Sequence, residues 1–208
     1  ANAQPVDMNW IKYYDEANNH WLALYDSRTA SQVDYGTNSF VTGKGYSVTP
    51  NTEITNILFA GALNTGEKTI ELQKDGSTSQ AGFNFVGNPY PSYIDWKAMV
   101  TKNSAVLETN TMWYRSKIEG QFKFYTVDGA GVEVPSTSSS ITAFIPPMQG
   151  FWVKTNTDGS TLYFEDNMRS HAGTGLNPSI NPLKAPAATQ SELSLLRLQV
   201  SNGTNTDE

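Results

Sequence analysis

The sequence predicts an all-β protein, an antiparallel β-sandwich of jelly-roll-like or Ig-like type carrying one short helix. Three observations predict it. Turn-forming Gly, Asn and Asp recur about every dozen residues, the rhythm of a sandwich or barrel. Between them, aromatic and β-branched residues alternate with polar ones, as on a half-buried strand. Aromatics reach 12% and charged residues only 16%, a balance of an extracellular β-rich surface rather than of a Lys/Glu-rich helical one. A globule of 208 residues buries roughly 70% of its unfolded surface, so a core forms without staples. That matters because the chain has no cysteine: disulfide frameworks, thiolate metal sites and cysteine nucleophiles are excluded.

The elements follow in order. In "NWIKYYDEANNHWLALYDSRTA" the aromatics Trp10, Tyr13, Tyr14, Trp21 and Tyr25 flank the polar stretch Glu16-Ala17-Asn18-Asn19, which predicts a hairpin rather than a helix. "SFVTGKGYSVTP" and "TEITNILFAGALNTGEKTIELQKDG" predict further strands punctuated by Gly43, Gly45, Asn64-Thr65-Gly66 and Asp75-Gly76. In "AGFNFVGNP", Phe83 and Phe85 share one face, and the strand must stop at Pro89, which has no N–H for a ladder.

The stretch "GFNFVGNPYPSYIDW" (82–96) then reads as a stiff corner. Pro91 holds Tyr90 extended, and the bond before Pro91 is a candidate for the cis form. Ser92 with Asp95 three residues on resembles a capping box opening a short helix, "YIDWKAMV", that buries Ile94 or Trp96 with Met99 and Val100. Farther on, "TMWYRSKIEGQFKFYTVDGAGVEV" predicts two strands about Glu119-Gly120 and a turn at Asp128-Gly129. "ITAFIPPMQGFWVKT" predicts an extended entry at Pro146-Pro147 and a strand in which Phe151 and Val153 oppose Trp152 and Lys154. "STLYFEDNMRSH" predicts a last strand. The domain reading is a sandwich over 1–172, a Pro-rich linker or strap over 173–192, and over 193–208 the first strand of a truncated following module. Ala1 begins without a basic-then-apolar leader, so the expectation is a removed signal or a piece of a longer protein.

"GYSV" after "TGKG", "FAGALNTGEKTIEL", "GFNFVGNPYPSYIDW", "IPPMQGFWVKT" and "LYFEDNMRSH", in that order over residues 10–171, resemble a module of large secreted and surface proteins of Bacteroidetes, many of them similar to type IX secretion cargo. The combination of GNPYPS-x-IDW and IPP-x-QGF carries the resemblance. "LRLQVSNGTNTDE" resembles the start of the segment that follows such modules. The resemblance implies an extracellular or outer-surface location and an adhesin-like, multidomain architecture; it brings no catalytic residues.

Chemistry narrows the function further. Net charge is −6 and no Lys/Arg run stands out, so no nucleic acid partner is expected. No apolar stretch approaches the roughly 20 residues of a membrane span. There is no G-x-S-x-G elbow, no H-E-x-x-H, no phosphate-cradling loop, and only His20 and His171. No cofactor and no metal are therefore expected. Asp95, Asp75, Asp128, Asp158 and Glu67 have cap or turn roles, leaving Asp15, Glu16, Glu165 and Asp166 for a glycosidase pair. "EDN" at 165–167 and "TDGS" at 157–160 lack the spacing of a calcium loop. The aromatics are the functional lead, with Trp152 and Tyr90 the candidate ligand-binding residues. The expectation is a non-catalytic structural or adhesive module meeting a glycan or protein at the cell surface and neighbouring domains of its own polypeptide. The alternative is a carbohydrate-binding module of a secreted enzyme.

Overall fold

The computed structural model describes residues 11–23, 40–48, 62–76, 79–115, 121–128, 131–135, 142–170, 200–201 and 206–207. The expected hairpin is present. β1 (Ile11–Asp15) and β2 (His20–Ala23) pair antiparallel about the 16–19 turn, where Asn19 takes a left-handed φ of 53°. β3 (Tyr46–Val48) joins the other side of β1, giving the order β2-β1-β3.

β4 (Lys68–Leu72) precedes β5 (Phe83–Gly87), which ends before Pro89 as its missing N–H requires. Beyond the corner come β6 (Tyr93–Asp95) and the helix α1 (Trp96–Asn103), then β7 (Thr111–Arg115), β8 (Phe122–Val127) and β9 (Glu133–Pro135). β10 (Phe144–Ile145), β11 (Gly150–Lys154), β12 (Ser160–Phe164) and β13 (Arg169–Ser170) complete the body. β5-β11-β7-β8-β9 form a five-stranded antiparallel sheet, β10-β6-β13 a three-stranded one, and β12 pairs with β4. The fold is all-β and sandwich-like, with one α-helix among the described residues.

Side chains alternate across a strand, so each strand of the large sheet has two faces. One face carries Val86, Met112, Tyr114, Tyr125, Val127, Phe151 and Val153 into the core. Facing them are Leu72, Leu162 and Phe164 from the β4–β12 pair, with Ile94, Trp96 and Met99 from β6 and α1. Trp96, fully buried, donates its indole N–H to the Asn110 carbonyl at 3.1 Å, so the plug is polar-satisfied as well as large.

Helix α1 corrects one expectation. Asp95, not Ser92, is the N-cap: its carboxylate accepts from the Lys97 N–H at 2.9 Å, while Tyr93–Asp95 stays extended in β6. Ser92 instead accepts from Arg169 Nε at 2.9 Å. The helix buries Trp96, Met99, Val100 and Asn103, the i, i+3, i+4, i+7 stripe of a helix lying on a sheet. All described peptide bonds are trans, so the bond before Pro91 is not cis.

Three buried asparagines stitch backbone that no strand pairs. Asn84 accepts from Gln73 N and donates to the Gln73 and Gly82 carbonyls. Asn103 does the same for Tyr163, and Asn88 joins the corner to the Pro146-Pro147 loop. Buried amides and carbonyls must be satisfied, and the asparagine side chain copies a peptide group.

The expected last strand is broken. β12 ends at Phe164, a 3₁₀ turn takes Asp166–Met168, and β13 then joins β6. Residues 171–199, including the expected strap, lie outside the described residues, as does Glu119-Gly120. Of the 193–208 tail, β14 (Val200–Ser201) pairs antiparallel with β15 (Thr206–Asp207).

Candidate ligand-binding face

Strand parity that sends Phe151 and Val153 inward sends Trp152 and Lys154 outward. The register then builds a row: Phe85 opposes Trp152, Trp152 opposes Trp113, and Trp113 opposes Phe124. Strands lie about 4.8 Å apart, so this row of four aromatics crosses about 14 Å of the outer sheet face. Phe83 meets Trp113 edge-on at 5.3 Å, and Phe122 lies beside them on β8.

The two ends of the row differ. At the β5–β11 end the β1–β2 hairpin packs on it, with Tyr14 edge-on to Trp152 at 4.6 Å. Trp21 meets Phe85 at 5.3 Å and Trp152 at 5.8 Å. The chain approaches so closely there that a Cβ on Gly45 or Gly150 would fall 2.5 or 2.4 Å from the Phe85 ring. At the β7–β8 end large rings meet solvent: Phe122 is 57% and Phe124 39% exposed.

The hairpin is held down by a carboxylate. Glu16, only 6% exposed, accepts from the Asp75 N–H at 2.7 Å and the Gly82 N–H at 2.6 Å. Its carboxylate is thus committed to backbone. Burial, with Glu16 and Asp15 nearby, pushes the Tyr14 hydroxyl above its usual range. Lys44 lies 4.1 Å from the Tyr13 ring centroid, and burial lowers its ammonium pKa despite Asp15.

Charges border the row. Lys154 Nζ lies 5.4 Å from the Phe83 ring centroid and 2.6 Å from Glu108 Oε1, while Lys74 reaches Glu108 Oε2 at 3.3 Å. The Lys154 hydrogen bond, helped by Lys74, holds the Glu108 carboxyl below the usual carboxylate range. Arg115, exposed at the other end of β7, makes no ion pair with a described residue.

Of the two residues singled out from sequence, Trp152 sits in the row, half-buried under the hairpin. Tyr90 does not reach this face. It is 2% exposed, donates its hydroxyl to the Gly66 carbonyl at 2.8 Å, and has the Arg169 guanidinium 5.2 Å from its ring centroid. Burial first, then Asp166, pushes its hydroxyl up to about 12. Packed this way, Tyr90 offers a ligand no ring face, and its part is to lock the proline corner. Trp113, Phe122, Phe124 and Arg115 were missed because register across four strands, not local pattern, brings them together.

The acids have other partners. Asp166 accepts from Gly66 N and pairs with Arg169; Glu165 pairs with Lys102; Asp158 accepts from Lys74 N; Asp15 accepts from Asn18. His20 contacts the Asn18 carbonyl at 3.1 Å, and His171 lies outside the described residues. Among the described residues no three His, Asp or Glu side chains gather where a metal ion could sit, and no helix is long and apolar enough to cross a membrane.

The fold and this face define an antiparallel β module with an aromatic, charge-bordered outer sheet surface. The chain belongs to the family described as "Domain of unknown function (DUF8693)", whose model matches residues 6–178. Searches of the curated proteins and of the solved structures gave no match.

Proposed function

We propose that this chain is a non-catalytic recognition module of an exported bacterial surface protein, and that the outer face of its five-stranded sheet contacts a glycan. The observation that carries the reading is the Phe85–Trp152–Trp113–Phe124 row, with solvent reaching the rings at its β7–β8 end. A pyranose ring offers an apolar C–H face and a rim of hydroxyls. The first suits the electron-rich face of an aromatic ring, the second a border of charged donors and acceptors such as Glu108 and Lys154. Export is supported by the low-charge, aromatic-rich composition and by the resemblance to surface modules of Bacteroidetes. The two motifs that carry it, GNPYPS and IPP-x-QGF, meet through Asn88.

A protein partner is the second reading, and one observation favours it. Met148 and Leu63, 67% and 61% exposed, flank the same corner: Asn88 N–H bonds Gln149, next to Met148, and Asn64, next to Leu63, bonds the Pro89 carbonyl. Met148 also holds a φ of 59°, a costly conformation for a residue that the fold does not bury.

A glycan and polysaccharide panel on the intact chain, followed by tryptophan-fluorescence titration, separates the readings. Saturable binding lost in a folded Trp113→Ala variant supports the first. Absence of binding across the panel, with pull-down lost in Met148→Ser, supports the second.

A further inference from the structure

We infer that the site on the outer sheet face takes an acidic glycan, a chain of uronic-acid residues, laid along β7 across Trp113. The inference rests on the glycan reading above and adds the ligand's charge and position. Three cations that the sequence scatters, Lys74, Arg115 and Lys154, come to the borders of one aromatic surface.

Their arrangement follows from the register. Trp113 opposes Trp152, and β7 and β11 run antiparallel, so Arg115 and Lys154, each two residues on, lie on opposite sides of this pair. Two residues of strand are about 7 Å, which places the two cations about 13 Å apart along the strand direction with the Trp113 ring between them. Both share the outer face with Trp113.

The positive charge open to a ligand lies at one end of this face, although the chain's net charge is −6. Lys74 and Lys154 share the Glu108 carboxylate, and Asp158 accepts from the Lys74 N–H, so that end of the face is balanced in charge, while Arg115 at the other end has no ion pair among the described residues. A guanidinium with no ion pair among the described residues is a fork that matches a carboxylate with two hydrogen bonds. A neutral glycan would use the ring and leave Arg115 idle; a uronate chain uses both, a ring face on Trp113 and a carboxylate on Arg115.

The test is titration of the intact chain with hexagalacturonate and with cellohexaose, at two salt concentrations, followed by tryptophan fluorescence. Hexagalacturonate is expected to bind more tightly and to weaken as salt rises. Arg115→Gln, an exposed change that leaves the fold intact, is expected to cost it on the order of tenfold in affinity while leaving cellohexaose unaffected. Trp113→Ala, checked for folding by circular dichroism, should cost both ligands. Equal or tighter cellohexaose binding, or hexagalacturonate binding indifferent to Arg115→Gln, would overturn the acidic-glycan inference and leave the glycan reading standing. Failure of hexagalacturonate to bind would overturn the acidic-glycan inference, and absence of binding across the whole panel would overturn the glycan reading as well.

Discussion

The side-chain amide of Asn88 donates to the Pro146 carbonyl at 3.0 Å, joining two loops 58 residues apart in the chain. The same amide reaches the Ser92 and Ile145 carbonyls, its oxygen accepts from Tyr90 N–H, and its own backbone N–H bonds Gln149. A corner that prolines make stiff is thereby fixed in position, and β5 and β11 enter the large sheet side by side, with Gly87 opposite Gly150. That pairing sets the register on which the aromatic row depends.

Replacing Asn88 with alanine therefore strands several buried carbonyls at once. Each costs about 1–3 kcal/mol unsatisfied, and part is recovered by relaxation and water, so a loss of about 2–4 kcal/mol is expected. Asn88→Asp should do no better, because it sets a carboxylate against carbonyl oxygens. Urea denaturation measures both; an alanine variant as stable as the parent would remove Asn88 from this role.

Glu16→Gln tests the latch on the β1–β2 hairpin. Glutamine keeps one acceptor for the Asp75 and Gly82 amides and turns an N–H toward the other, so a loss of about 1–3 kcal/mol is expected. The hairpin's Trp21 should become wetter, red-shifting fluorescence, while the buried Trp96 signal stays. If both tryptophans respond alike, the hairpin is not a separate cover.

Gly45→Ala should destabilise by about 1–3 kcal/mol through overpacking. The added Cβ would stand 2.5 Å from the Phe85 ring and 2.8 Å from the Val86 carbonyl oxygen, so backbone as well as ring must move. Phe85 supports Trp152 and Trp21, and near-ultraviolet circular dichroism should show their order falling. An unchanged spectrum with unchanged stability contradicts this packing.

Glu108 gives a pH dependence with a definite sign. Its folded pKa is depressed by Lys154 and Lys74, so its contribution to stability is present above the unfolded glutamate value, near 4.3, and is lost as pH falls through the lower folded value. The group is partly exposed, so the contribution is under about 1 kcal/mol. Glu108→Gln is expected to be slightly less stable than the parent at pH 7 and equal to it once both are well below pH 4. A gap that widens on acidification would reverse the sign and the assignment.

Local pattern made the β1–β2 hairpin and strands β5, β7, β8 and β11 legible, because turn residues and period-two alternation are written within each segment. It did not say which face is core. Phe83 and Phe85 look like core residues, yet Asn84 and Val86 point inward, because both sheet faces carry aromatics. Ser92 and Asp95 were both plausible caps, and only the pairing of Tyr93–Asp95 with β10 and β13 decides for Asp95. Trp152 was found because its parity opposes that of Phe151 and Val153. Trp113, Phe124 and Arg115 owe their place to register between distant strands, and nothing local in the sequence marks Asn84, Asn88 and Asn103 as buried amides that bond distant backbone.

The proposed function stands or falls on a glycan lying on the outer sheet face at Trp113. Indole N–H resonances of the intact chain, followed by NMR during titration with hexagalacturonate, test it most directly, because Trp113 borders the solvent-reached end of the row while Trp96 is fully buried with its N–H bonded to Asn110. A saturable shift of the Trp113 signal is expected, with a smaller one at Trp152 and none at Trp96. A titration that leaves Trp113 unmoved, or moves Trp96 as much, would contradict it.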